Sequence, residues 1–358
     1  MRLISKPAAA ALTGVVLAGL AAACGGASNS SGASGSSTSG GSGGSGGSSG
    51  KSTTISVGYQ PDLHGAAPML IAQQQGYFKK VGLNVNLVRF PTGPPLFSAL
   101  QAGKLQFGYE GPGVAATVIK GGGEVITVDS LNKGDEIIAN PAIKTVQDLK
   151  GQTVGVSKGT SAQMILDLAL TQAFGSVKAS GVTEEPFGTP AAAAQAYSTH
   201  SIKALALWIP PIVSAAKAVP GTNTLVTDSN FITPSRQFPQ FWLTMKSYAQ
   251  QNPQIVTKFL QAWIMADNYR QSHTSQAVSM VAAATQTPAT SLQPQVGATQ
   301  WESGSQLAQF YSTNAEYSWF QNLEQFFVTD NLLPSVVPPS QFINTSYFTS
   351  ALKADGLG

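Results

Sequence analysis

From Thr54 onward the chain alternates short period-two apolar segments with helix-like segments, and this alternation constrains the fold more than any other feature. Thr54 to Tyr59 places Ile55, Val57 and Tyr59 on one side, as a half-buried strand does. The pattern predicts a helix over Met69 to Phe78, a strand over Asn84 to Phe90, and a helix from Leu96 to Ala102 stopped by Gly103. A strand at Leu105 to Tyr109 and a helix at Val114 to Lys120 follow. Strands over Glu124 to Leu131 and Glu136 to Ala139 come next. A second unit begins with a helical turn at Val146 to Gly151, a strand at Thr153 to Val156, and a turn at Ser157 to Thr160 into a further helix. Thr160 and Gln163 have the spacing of a capping box. Strands over Val182 to Phe187, Ala204 to Trp208, Thr224 to Thr227 and Phe241 to Thr244 complete the series. Asn252-Pro253 opens a helix with an apolar stripe of Ile255, Phe259, Trp263 and Ile264. The tail is mostly helical, broken at Leu333 to Pro339. Strand–helix–strand alternation predicts α/β architecture with a mainly parallel sheet.

The leader carries a different message. Arg2 and Lys6 precede an apolar run from Ala8 to Ala23, and then comes Cys24, the only cysteine in 358 residues. A charged start, a short apolar stretch and small residues at the cut site make an export signal. The run is short of the ~20 residues a membrane span needs. Leu20 to Cys24 resembles a bacterial lipoprotein signal, in which the Cys sulfur carries the lipid and becomes the mature N-terminus. Gly25 to Gly50 is almost wholly Gly and Ser, a flexible tether. From Gly25 to Ser52 its end-to-end distance is roughly 30 Å.

Composition excludes several classes. Formal charge is +3, and loss of Arg2 and Lys6 with the signal leaves +1, which is no footprint for nucleic acid. A single Cys permits neither an internal disulfide nor a thiolate-rich zinc or iron–sulfur centre. No cofactor, metal or catalytic residue is expected. Ser214 and Lys217 match a Ser-x-x-Lys spacing, but the accompanying Ser-Asp-Asn and Lys-Thr-Gly are missing. Gly40 to Gly44 matches Gly-x-Ser-x-Gly only within low complexity.

Four segments in order resemble one family. Gly76-Tyr-Phe-Lys-Lys-Val-Gly-Leu-Asn-Val-Asn-Leu87 is similar to its segment closing the first helix and opening the second strand. Ala99 to Gly108 is similar to its "AL-x-x-G-x-x-D-F-G", with Gln106 in place of the acid. Asp148 to Val156 followed by Lys158-Gly-Thr-Ser161 is similar to "DLKGKKVAV-x-KGSS". Asn252-Pro253 to Trp263 is similar to "ENPE-x-V-x-x-F". These mark a resemblance to the sulfonate-, taurine- and nitrate-type substrate-binding proteins of ABC importers and their relatives that bind pyrimidine precursors. The resemblance implies a type II periplasmic-binding-protein fold, two α/β lobes joined by two crossing strands around a ligand cleft. It divides the chain into a signal at 1–23, a lipidated Cys and tether at 24–52, lobe one at 53–138 and 241–358, and lobe two at 139–240. Crossing segments are expected near Glu136 to Asn140 and Gln240 to Thr244. The implied partners are a small solute, an ABC permease with its ATPase, and the membrane through the anchor. The protein is expected as a monomer on the outer face of the cytoplasmic membrane. An anchored enzyme of the same fold and a surface scaffold are the alternatives.

In open α/β sheets, ligands sit beyond the carboxyl ends of strands. The candidate loops are Gln60 to Gly65, Phe90 to Pro95, Glu110 to Gly113, Ser157 to Ser161 and Ile209 to Pro211. From them come the candidate ligand residues Gln60, His64, Thr92, Tyr109, Glu110, Lys158, Thr160, Ser161 and Trp208. Thr160 either caps its helix or joins Lys158 and Ser161 in holding an anion at the helix start. His64 is a loop histidine or a ligand contact, and Glu110 a surface charge or a carboxylate facing the ligand. Trp208-Ile-Pro-Pro211 resembles the family's "W-D-P-Y", with Ile209 where the acid stands. The expected solute is therefore an amino- or hydroxy-substituted organic acid, its donor on Glu110.

Overall fold

A computed structural model describes residues Ser52 to Ala354. The signal, Cys24 and the Gly/Ser tether lie outside the described residues. Among the described residues eleven strands form two sheets. The first contains β1 (Thr53–Tyr59), β2 (Leu83–Arg89), β3 (Phe107–Glu110) and β4 (Gly123–Asn132). The second contains β5 (Asp135–Ala139), β6 (Thr153–Val156), β7 (Thr183–Pro186), β8 (Ala204–Trp208) and β9 (Asn223–Thr227). β10 (Pro239–Met245) and β11 (Thr299–Gln300) return to the first.

The orders are β11-β4-β10-β3-β1-β2 and β7-β6-β8-β5-β9. Between these strands parallel pairing joins β1 with β2 and β3, and β6 with β7 and β8. β10 runs antiparallel to β3 and β4, and β5 antiparallel to β8 and β9. The expectation of mainly parallel sheets is therefore corrected to two mixed sheets. The reason is topological. Helical crossovers return a strand in the same direction, whereas β5 and β10 arrive directly from the other sheet and enter reversed. The chain changes sheets at Lys133–Gly134 and again between Thr227 and Pro239. The segment around Glu136 expected to cross is already a strand of the second sheet.

Local chemistry explains the boundaries. The first helix runs from Ala66 to Gln74 and stops short of Phe78, because Gly76 adopts φ 72°, open to a residue without Cβ. Pro253 opens the Pro253–Ser272 helix as expected, but Asn252 turns back, its Nδ2 donating to Tyr248 O. The stripe on that helix is buried through Val256, Phe259, Leu260 and Trp263, with Ile255 half-buried. Phe259 stacks on Phe107 with ring centroids 4.1 Å apart. Each such fully buried side chain contributes ~1.5–3 kcal/mol. Among the described residues no helix is long and apolar enough to cross a membrane.

Candidate functional site

The carboxyl ends of β1, β3 and β8 meet the start of the Ser161–Phe174 helix around a small polar cavity of about 30 Å³. Every one of the five strand-end loops contributes to its wall, through Gln60, Asp62 and His64, through Gly93, through Gly111, through Thr160 and Ser161, and through Ile209. Tyr109 and Trp208 line it too. A second chamber of about 570 Å³ adjoins it and shares Gln60, Asp62 and Trp208 with the first. Its remaining walls include Pro61, Pro91, Pro190, Pro211 and Arg89.

The two lobes touch beside the small cavity. Gly113 lies so close to the helix start that a methyl group there would stand 2.1 Å from the carbonyl carbon of Thr160. Gln295, from the Ala289–Gly297 helix, bridges the cleft: its Nε2 donates to Ile209 O at 2.9 Å and its Oε1 accepts from Leu63 N–H at 2.9 Å. Gly159 faces Pro94 across the same gap.

Six of the nine candidate ligand residues reach the wall: Gln60, His64, Tyr109, Thr160, Ser161 and Trp208. Thr92 only precedes the wall residue Gly93, at the start of the Gly93–Gln101 helix. Lys158 is exposed and outside the lining. Glu110 is fully buried and turned the other way. Alternation along β3 sends Tyr109 into the cavity and Glu110 under the Gly93–Gln101 helix, where a Cβ at Gly93 would fall 1.9 Å from its Oε2. Burial pushes the Glu110 carboxyl well above the ordinary range, against the pull of the Phe97 N–H. It packs beneath the Gly93–Gln101 helix and does not line the cavity, so the donor-to-Glu110 arrangement is corrected.

His64 is spoken for within the protein. Nδ1 lies 3.3 Å from Trp301 Nε1 and 3.2 Å from Ser130 Oγ, and Nε2 lies 3.1 Å from Thr299 Oγ1. Behind it Asp129 pairs with Arg270, whose Nη1 lies 3.2 Å from both carboxylate oxygens and 3.1 Å from Leu63 O. Burial pushes the Asp129 carboxyl up, but the Arg270 guanidinium beside it outweighs this and holds it below the ordinary range. This buried frame fixes the loop from Gln60 to Gly65.

The helix start differs from the expected capping box. Thr160 Oγ1 donates to Ser157 O at 2.7 Å, and Gln163 Oε1 accepts from Gly159 N–H. No side chain caps the first turn, which leaves its N–H groups and dipole beside the cavity. Ser161 Oγ donates to Asp135 Oδ1 at 2.9 Å. Asp135 in turn meets Asn132 and Asp228, so both crossing segments are tied behind the cavity.

Several wall residues escaped the sequence reading: Asp62, Asn132, Gln240, Gln295 and Thr299. Asp62 alone had a local signal, since an Asp three residues before Gly65 and just ahead of a helix marks an Asx turn. The chain beyond about Tyr269, which carries no family segment, supplies Gln295, Ala298 and Thr299 to the wall. Among the described residues no cluster of His, Cys, Asp and Glu could hold a metal.

A sequence model of the family described as NMT1/THI5 like matches residues 64–277. A provisionally named binding protein of Brucella abortus strain 2308 is 28% identical over 296 residues, 83% of this chain and 92% of the relative. A protein of Escherichia coli strain K12, provisionally named for binding aliphatic sulfonates, is 30% identical over 237 residues, 64% of this chain and 70% of the relative. Among solved structures, the alkanesulfonate-binding protein of Xanthomonas axonopodis pv. citri bound to MOPS aligns with a TM-score of 0.65 at 21% identity, over 83% of this chain and 99% of that one. At that identity the likeness is one of fold, and it is the two-lobed binding-protein fold that the sequence resemblance implied.

Proposed function

Since the chain belongs to the NMT1/THI5-like family, we propose that it is the extracytoplasmic solute-binding component of an ABC importer, which captures a small organic solute and hands it unchanged to a permease. The observation that carries this reading is the pair of chambers at the lobe junction. A polar cavity walled from both lobes opens onto a space of about 570 Å³, within the range of small-molecule sites. A solute touching both walls favours the closed arrangement, and the permease reads that closure. Relatives named for aliphatic sulfonates support a small organic solute.

The lobes on this reading follow the sheets, with Lys133–Gly134 and the stretch from 228 to 238 as hinges. Lipidation at Cys24 holds the protein at the outer face of the membrane, and the Gly/Ser tether lets the lobes turn over the permease. The protein acts as a monomer. Native mass spectrometry of the chain purified without added solute, followed by small-angle scattering before and after solute removal, tests the function. A bound small molecule, expansion on its removal and its recovery in unaltered form are expected. A solute chemically changed on the protein, or an unchanged radius, overturns the reading.

A further inference from the structure

Asp62 is the one acidic side chain in the wall of the small cavity, and no Lys or Arg lines that wall among the described residues. Its residue is 5% exposed. Oδ1 holds the turn, accepting from His64 N–H at 3.0 Å and Gly65 N–H at 2.7 Å. Oδ2 has no hydrogen-bond partner among the described residues, although Asp62 lies at the junction of both chambers. Oδ2 keeps accessible surface and so opens to the cavity, where a solute can supply the donor that the protein does not. His64 cannot, because both its ring nitrogens are engaged.

We propose that Asp62 is the specificity residue of the solute site, and that its Oδ2 receives an N–H donor, an ammonium or amidinium group, from an amine-bearing organic solute. This rests on the solute-binding reading above. The solute's acceptor atoms meet the uncapped helix start at Ser161 and the side-chain amides of Gln60, Asn132 and Gln240. Its body occupies the larger chamber between the prolines and Trp208. A bare oxyanion in the small cavity would lie near a carboxylate with no cationic side chain in the wall to offset the repulsion. Burial raises the Asp62 carboxyl, which a cationic partner would reverse.

The test is calorimetry on the full-length chain with matched probes: taurine against ethanesulfonate, 3-aminopropanoate against propanoate, benzamidine against benzamide, and nitrate and sulfate alone. Because a charge-assisted hydrogen bond is at stake, the amine member of at least one pair should bind about tenfold tighter or more. Asp62→Asn keeps an acceptor for the turn and should bring that ratio within about threefold. The discrimination within a pair is read on the wild type, so it stands even where the variant folds poorly. Equal affinity for the amine-free member, tight nitrate binding, or undiminished discrimination in a folded Asp62→Asn overturns this inference alone. No binding by any probe, with no bound molecule by mass spectrometry, overturns the solute-binding reading beneath it.

Discussion

Gly113→Ala isolates the contact between lobes. The added Cβ would stand 2.1 Å from Thr160 C, 2.3 Å from its O and 2.4 Å from Ser161 N, where ordinary contact begins near 3.4 Å. Relief therefore needs a displacement of more than an ångström. The obstructing atoms are backbone at a helix start, so no side-chain rotation provides it. Gly113 does not have a left-handed φ, so alanine meets no conformational penalty of its own. The remaining escape is separation of the lobes. Overpacking of this kind costs ~1–3 kcal/mol. Charged to the closed form alone, that is about a 5- to 150-fold loss of solute affinity. The core of each lobe is untouched, so the unfolding midpoint of the solute-free protein should move little. Calorimetry with the co-purified solute and small-angle scattering at saturation measure both effects. Gly188→Ala, with nothing within 4 Å of its Cβ, is the control. Affinity within about twofold of wild type and an unchanged saturated radius would show that Gly113 does not set closure.

The acids behind the cleft should make stability fall with rising pH. Burial, with Glu136 adding, pushes Asp135 up to about 7, and burial with Asp135 beside it raises Asp228 well above the ordinary range. A folded-state value above the unfolded one means stability fully present below about pH 4 and lost as pH rises through 7, on the order of 4 kcal/mol for Asp135. Urea midpoints between pH 5 and 8 should show that slope, and Asp228→Asn, neutral throughout, should flatten it; an equal slope in both proteins refutes the coupling. Gln295→Glu keeps the acceptor for Leu63 N–H but removes the donor to Ile209 O across the cleft. Solute-free scattering should then show a larger radius, and an unchanged one means that the bridge does not hold the lobes. Cys24→Ser should move the protein from the membrane fraction to the medium, and retention with the signal cleaved excludes the lipid anchor.

Much of the architecture was legible along the chain because its causes are local. Period-two apolar runs mark β1, β2 and β8, Gly76 and Gly103 stop helices, and Pro253 starts one. The strand-end loops followed from the same order, and each of the five reaches the cavity. What the sequence could not carry was direction and company. A strand reads alike whichever way its neighbours run, so the reversal of β5 and β10 emerges only when the chain crosses between sheets. Glu110 and Tyr109 are adjacent letters, yet the pleat sends one under a helix and the other into the cavity. Gln295 and Thr299 stand more than two hundred residues from Asp62, in segments without a local signal, and tertiary packing alone brings them to one wall. Burial and neighbours set the environment of Glu110, the partners of His64 and the unmet oxygen of Asp62. Those quantities depend on distance through space, which residue order does not contain.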